Sequence, residues 1–280
     1  MPVRDRLDFA VRVASAAAAA TLHRFAPGHP TAARVRDLDV EAKADGSEVT
    51  AADREAEQFM RNEIQRAFPG DGILGEEFEE TPSDTGRRWI IDPIDGTYSF
   101  VRGVPLYTTL LACERLDADG SQSSEGVDLG VIVAPALGET VYAQRGSGAW
   151  FQPSGATQTP PVRAVVSNVS SPASASLSYT SLDYFRSERD RAVVRKAIEA
   201  AATTRGWPDA YAAMLVATGR CDALIEPTLK PWDAAPMQPI ILEAGGMLTD
   251  WQGNPTIRGE GILATNGKLH GALLAAIANA

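Results

Sequence analysis

The sequence predicts an α+β fold built from two packed halves. Short β-prone runs cluster between residues 72 and 146, helix and strand patterns alternate after residue 162, and a Pro/Ser/Thr-rich stretch, QPSGATQTPP, lies between them at 152–161. The halves are therefore expected at 1–152 and 162–280, folded against each other as one structural unit. With 280 residues, 44% of them hydrophobic, the chain can bury a sizeable core.

The elements follow in order. Leu7, Ala10, Val11, Ala14 and Ala18 recur at helical spacing and predict an amphipathic helix over about 3–25. Its Ala-rich centre superficially resembles a signal peptide, but Asp5, Asp8 and Arg12 interrupt any hydrophobic region. A second helix fits 51–67: Thr50 can cap it, Asp53 stands three residues on, and Ala56, Phe59, Ile64 and Ala67 mark a face. FPGDG breaks it. GILG, RWIID, TTLLACERL, VDLGVIVA and ETVYAQRG then read as successive strands. After the boundary come strands RAVVS and ASLSY, helices over 188–202 and 208–218, strand DALIE, a helix over 233–244, strands GMLTD and GILAT, and a helix over 268–278. Pro236 suits a first helical turn, whereas Pro239 lies deeper and should kink its helix.

Bulk properties exclude several functions. Net charge is −10 and pI about 4.9, which opposes nucleic-acid binding and repels phosphorylated metabolites unless a cation intervenes. No run of 18 uninterrupted apolar residues offers a membrane span. Cys113 and Cys221 form no CxxC and read as buried thiols of a reducing, cytoplasmic compartment. His23, His29 and His270 are scattered, so no zinc site is expected.

The chemistry concentrates in WIIDPIDGTYSF, residues 89–100. Asp92 ends an apolar strand, at the kind of edge where α/β sheets bind ligands. Pro93 is expected to turn the backbone and bring Asp95 beside Asp92. Two carboxylates that close repel unless a proton or cations sit between them. Oxygen ligands without His or Cys favour Mg²⁺ or Mn²⁺. Gly96 and Thr97 then open a short helix whose free N–H groups suit a phosphate. An ordinary Asp-Pro/Asp-Gly turn fits the same residues. The nucleophile motif DxDGT of haloacid-dehalogenase phosphatases fits poorly, because the spacing here is DxxDGT.

Other acids flank this stretch. Glu76 and Glu77 follow an apolar strand and a glycine in GILGEEFEE, where Glu79 and Glu80 read as solvated loop charges. In EPTLKPWDAAP, Glu226 ends a strand, and Asp233 heads a helix as N-cap or as metal ligand. Lys43 and Asp53 lie in KADGSEVTAAD as a surface lysine and a helix-start acid, or as parts of a site.

Taken in this order, K-x-D-x-S-x-V-T-x-x-D, GEE, DPIDGT and WDAAP…EAGG resemble the inositol-monophosphatase-like family of Mg²⁺-dependent, lithium-sensitive phosphatases, over about residues 5–275. The resemblance implies a layered αβαβα sandwich of the inositol-monophosphatase / fructose-1,6-bisphosphatase type, as a homodimer. It implies that Glu76, Asp92 and the Ile94 carbonyl hold one Mg²⁺, and that Asp92, Asp95 and Asp233 hold a second. Glu76 would also help hold a weaker third ion and the attacking water. Thr97, oriented by Asp53, would activate that water. The N–H groups of Gly96 and Thr97 would bind phosphate, with Lys43 and Glu77 in support. Two such metals can lower the pKa of a bound water and neutralise the leaving oxygen.

Within the family the chain is similar to the bacterial histidinol-phosphate phosphatases. Their G-x-x-D-x-Y stretch and acid-Pro pair have counterparts in Asp209, Tyr211 and Glu226-Pro227. Acids there suit a substrate with an amino group and an imidazole. Pro208-Asp209 can equally just start a helix. Two departures stand out: Tyr98 where that subgroup often has Lys, and Ser99 where the wider family usually has Asn. The implied substrate is a small phosphorylated metabolite, L-histidinol phosphate first. An inositol phosphate, a broader set of sugar phosphates, or a nucleotide or sulfur-metabolite ester of the same fold are the alternatives. A partner-binding regulatory protein on this fold would show a basic patch or lost ligands; here the ligands are present and the charge is acidic.

Overall fold

A computed structural model describes residues 3–25, 40–42, 48–153, 160–227 and 230–278. Lys43 lies outside the described residues. Among these, seven α-helices and two larger sheets stack in five layers, the αβαβα sandwich implied by the resemblance.

The outer layer holds α1 (Val3–Arg24) and α2 (Ala51–Ala67). Ala10, Ala14 and Ala18 of α1 are buried as their spacing predicts, and such small side chains let the helix approach closely. In α2 the buried face runs through Ala52, Ala56, Met60 and Ile64. Phe59, expected on that face, is exposed; Met60 takes the inward position one residue on. The capping box of Thr50 and Asp53 forms as read. A two-residue pair, β1 (Glu41–Ala42) and β2 (Glu48–Val49), precedes α2.

Next lies a seven-stranded sheet in sequence order: β3 (Gly72–Gly75), β4 (Arg87–Asp95), β5 (Thr108–Leu116), β6 (Gln122–Ala134), β7 (Glu139–Gln144), β8 (Gly148–Gln152) and β9 (Val162–Arg163). Only β3 and β4 are parallel. Side chains alternate across it: Trp89, Ile91, Leu111 and Cys113 face α1 and α2, while Ile90, Leu110 and Ala112 face the other way. Strand β8 was not foreseen, although the three residues 145–147 form a hairpin turn between two β-prone runs. Of the expected strand RAVVS only Arg163 is in a strand, as the second residue of β9. That strand has one neighbour, and past Ala164 the chain crosses towards the second sheet, where Val166 N–H donates to Ala244 O.

The second sheet has the order β11 (Thr203–Arg205), β10 (Ser176–Ser178), β12 (Ala223–Glu226), β14 (Ile262–Thr265), β13 (Met247–Thr249). The short polar β11 carries no hydrophobic alternation and was missed. Two helices, α4 (Glu188–Ala200) and α7 (His270–Ile277), cover its outer face; between them in sequence come α5 (Asp209–Ala217) and α6 (Pro231–Glu243), and the one-turn α3 (Thr97–Val101) follows β4.

The central layer is α5 and α6, clamped between the sheets. Both are apolar nearly all round, as a helix buried on every side must be. Because α6 begins at Pro231, Pro236 lies beyond its first turn, and the helix continues through both internal prolines. Gly130 of β6 lies directly under Pro236, where a Cβ would collide with helix backbone. At one end of the sandwich, the fully buried Glu114 of β5 accepts from Arg88 Nε at 2.8 Å and from Arg258 Nη2 at 2.9 Å, tying the loop before β14 to the first sheet. Cys113 and Cys221 are buried and free. No helix among the described residues is long and apolar enough to cross a membrane.

The Gly130 contact gives a test of the central layer. Gly130→Ala should destabilise by about 1–3 kcal/mol, since α6 must move off the sheet. Urea unfolding measures this, and an unchanged midpoint would show that the helix gives way freely.

Candidate active site

Three carboxylates meet at the junction of the two sheets: Asp92 and Asp95 from β4 and Asp233 from the first turn of α6. Oxygens of all three lie within 4.8 Å of one another. In a regular strand, residues three apart point to opposite faces. Here the pairing Asp92↔Leu110 is followed by Asp95↔Thr108, so β4 spends three steps where β5 spends two. The extra residue is a β-bulge, and it turns Asp95 to the side of Asp92. The expected Pro93 turn is therefore a bulge within a continuing strand. Thr109 Oγ1 pins it by donating to Pro93 O at 2.8 Å.

Asp233 is the third residue of α6, not its N-cap. The cap is Lys230, whose N–H donates to Asp233 Oδ2 at 2.8 Å. Asp95 Oδ2 accepts from Thr108 Oγ1 at 2.7 Å and from Ala210 N–H at 2.9 Å. Asp92 Oδ1 accepts from Ile94 N–H at 3.1 Å. Burial pushes the Asp92 carboxyl well above its ordinary range, and the charges of Glu76, Asp95 and Asp233 add to it. Asp233, half-buried as a residue, rises for the same reasons, burial first and then Asp95. Asp95 is pushed to about 6 by burial, against the bonds from Thr108 and Ala210. Three such groups cannot all ionise in a dry site without a proton or cation among them. A hard, oxygen-only donor set fits a divalent ion such as Mg²⁺ or Mn²⁺.

Glu76 and Glu77 enter from the end of β3. Glu76 is half-buried, and its charge bears on Asp53, Asp92, Asp95 and Asp233. It stands outside the tight group of three. The turn is held by Glu57, which is fully buried: its Oε2 accepts from Glu77 N–H at 2.8 Å and its Oε1 from Arg61 Nε at 2.7 Å. Arg61 also donates to Phe78 O at 3.0 Å. Asp53, one helical turn before Glu57, accepts from Thr50 N–H at 2.8 Å and Thr50 Oγ1 at 2.6 Å. Burial pushes its carboxyl to about 7 against those two bonds. Thr97 Oγ1 stands 3.5 Å from Asp53 Oδ1 and donates to Ile94 O at 3.1 Å. The Ile94 carbonyl thus faces Thr97.

On the far side, Gly96 takes a left-handed conformation, φ +81°, at the start of α3. A Cβ there would come 2.9 Å from Asp209 Oδ2, so the missing side chain makes room for that acid. Asp209 itself has φ +53°, the one described non-glycine residue with positive φ. Its N–H donates to Thr180 Oγ1 at 2.7 Å. Thr180 in turn donates from N–H and Oγ1 to Glu226 Oε1, at 2.6 and 2.7 Å. Burial pushes Glu226 to about 8 and Asp209 well above its ordinary range, where Asp95 and Glu226 reinforce it. Tyr184 stands near enough for these acids to help burial push its phenol to about 12. At the rim Tyr98 is exposed, and the Arg102 guanidinium carbon lies 3.3 Å from its ring centroid, so a cation stands near the position that lacks Lys. Ser99 is buried.

Of the sequence-derived residues, Asp92, Asp95 and Asp233 form the tight group. Glu76, Asp53, Thr97 and Ile94 border it on one side, and Gly96, Asp209 and Glu226 on the other. Glu77 contributes its backbone N–H to Glu57. Sequence reading missed Glu57, Thr108, Thr180 and Tyr184. Glu57 left a signal: it lies four residues after Asp53 on one face of α2, a second acid on a side otherwise buried. The threonines carry no such mark.

The Inositol monophosphatase family matches residues 3–280 of this chain. A histidinol-phosphatase of Chlorobaculum parvum is 42% identical over 245 residues, covering 87% of this chain and 88% of its own. One from Streptomyces coelicolor is 38% identical over 271 residues, 96% of each chain. The crystal structure of extragenic suppressor protein suhB from Bartonella henselae matches with a TM-score of 0.83 at 28% identity, covering 98% of both chains. With a match that runs from residue 3 to residue 280, the chain belongs to the inositol monophosphatase family of metal-dependent phosphomonoesterases.

Proposed function

We propose that this protein hydrolyses L-histidinol phosphate to L-histidinol and inorganic phosphate with bound Mg²⁺. The observation that carries the substrate is the second acid pair, Asp209 and Glu226, standing across Gly96 from the three-carboxylate cluster. A phosphate ester with a cationic head matches both ends of that cleft. The histidinol-phosphatase relatives at 38–42% identity support the same reading.

Asp92, Asp95, Asp233, Glu76 and the Ile94 carbonyl would hold the ions, with Mn²⁺ as a substitute for Mg²⁺. When bound, the metal polarises the phosphoryl group, lowers the pKa of water and neutralises the leaving oxygen. The N–H groups of Gly96 and Thr97, at the open end of α3, hold the phosphate oxygens. Thr97 Oγ1 takes a proton from the attacking water, and Asp53 Oδ1 accepts the Thr97 proton. A carboxyl poised near 7 suits that task at neutral pH. Asp209 and Glu226 orient the substrate's amino group and imidazole. Lys43 and Glu77 act in support. A homodimer and inhibition by lithium belong to the same reading.

Asp92→Asn should lower kcat by about 10³-fold or more without unfolding the protein, and EDTA should abolish turnover reversibly. Substantial turnover by Asp92→Asn would exclude the assignment. For the substrate, kcat/KM is compared for L-histidinol phosphate, myo-inositol 1-phosphate and fructose 1,6-bisphosphate; a preference for either of the last two excludes histidinol phosphate.

Stability should also depend on pH. Asp95, Asp53 and Glu226 keep their protons to about 6, 7 and 8 when folded, but lose them near 4 when unfolded. Between these values the native state binds more protons, so stability falls as pH rises from about 4 to about 8. A cation held by Asp92, Asp95 and Asp233 takes the place of protons on that cluster, so the gain in Tm on adding Mg²⁺ to EDTA-treated protein should be larger at pH 8 than at pH 5.5. A smaller gain at pH 8 would contradict this reading of the cluster.

A further inference from the structure

Thr180 occupies an unusual place. It follows β10, beside β12, and both its N–H and its hydroxyl bond to the two acids of the substrate-head side. Its N–H and Oγ1 both donate to one oxygen of Glu226, at 2.6 and 2.7 Å, while the same Oγ1 accepts from Asp209 N–H at 2.7 Å. With the hydroxyl donating to Glu226, a lone pair of the same oxygen is left to accept from Asp209 N–H.

Two consequences follow from this geometry. Glu226 Oε1 is fully engaged, and among the described residues no donor reaches Oε2, which leaves that oxygen to a ligand. Asp209 is held in a left-handed conformation that is unfavourable for a non-glycine residue. Two backbone bonds hold it there: its own N–H to Thr180, and the next N–H, of Ala210, to Asp95 Oδ2. Thr180 is thus the link that sets where the Asp209 carboxylate stands relative to Glu226. It touches neither the three-carboxylate cluster nor Thr97.

We propose that Thr180 is a positioning residue for substrate selection: it fixes the separation of the Asp209 and Glu226 carboxylates, and that separation selects a phosphate ester with a two-point cationic head over a neutral polyol phosphate. The proposal rests on the substrate reading above. The hydroxyl acts through the two acids, so its loss weakens recognition of the head while the phosphate end keeps its contacts.

The test is selectivity, measured with the Mg²⁺-loaded enzyme. Thr180→Val keeps the side-chain shape and removes the hydroxyl; Thr180→Ala removes it without bulk; Thr180→Ser keeps it. Both hydroxyl-free variants should lose at least about tenfold more kcat/KM towards L-histidinol phosphate than towards p-nitrophenyl phosphate, chiefly through KM, as loss of a bond to a charged group predicts. Thr180→Ser should restore the wild-type ratio. Competitive inhibition by L-histidinol, which carries the head without phosphate, should weaken in parallel. Equal losses on both substrates, or an unchanged ratio, would overturn the proposal. A wild-type enzyme that prefers L-histidinol phosphate beside a Thr180→Val that keeps the preference overturns this inference alone. A wild-type enzyme that prefers myo-inositol 1-phosphate overturns the substrate reading and this inference with it.

Discussion

Like charges in a dry place repel, and much of this structure is arranged around that fact. Asp92, Asp95 and Asp233 bring carboxylate oxygens within 4.8 Å of one another. One oxygen of each acid is held by named donors: Asp92 by Ile94 N–H in the bulge, Asp95 by Thr108 in β5 and Ala210 N–H at the start of α5, and Asp233 by Lys230 N–H just before α6. These bonds orient the acids without cancelling their repulsion. Protons can do that at low pH and a divalent cation at neutral pH. The same cation answers the charge problem of a −10 protein that must attract a phosphate.

The cluster also explains why the two sheets must be stacked with a helix layer between them. Asp92 and Asp95 come from the first sheet, and Asp233 from the helix that lies against both. Close backbone approach makes this possible. Gly130 lets α6 sit on β6, and Gly96 lets Asp209 from the second half rest against the loop that follows Asp95. The bulge in β4 completes the geometry, since without the extra residue Asp95 would face away. Glu57 performs a comparable task for the Glu76–Glu77 turn, from beneath.

Much of this was legible in the sequence, for identifiable reasons. Long elements with clear periodicity, such as α1 and β5, were readable because one period dominates each, whereas β6 begins at Gln122, inside the polar DADGSQSSEG stretch that reads as a loop. The helices α5 and α6 were read as helices, and their all-round apolar character fits the central position the structure gives them. Elements set by partners were harder. Strand β11 pairs without any hydrophobic pattern, RAVVS keeps only Arg163 in its sheet, and Phe59 gives its place to Met60 because the helix phase is decided by what packs on it. The start of α6 lay two residues earlier than Asp233, which made that acid a third-position residue rather than a cap.

Chemistry that depends on residue type was written in the chain itself: the acids of GEE, DPIDGT and WDAAP, the absence of His and Cys near them, and the order that marks the family. Oxygen donors in that number already imply a hard cation. Position in space was not written there. Which oxygen faces which, how a spacing of three becomes one side of a strand, and that a threonine at 180 would join Asp209 to Glu226 depend on contacts between residues 29 and 46 positions apart. Local sequence sets the menu of donors and turns, but hydrogen bonds across elements form only once the sheets have stacked, and they decide where each charge finally stands.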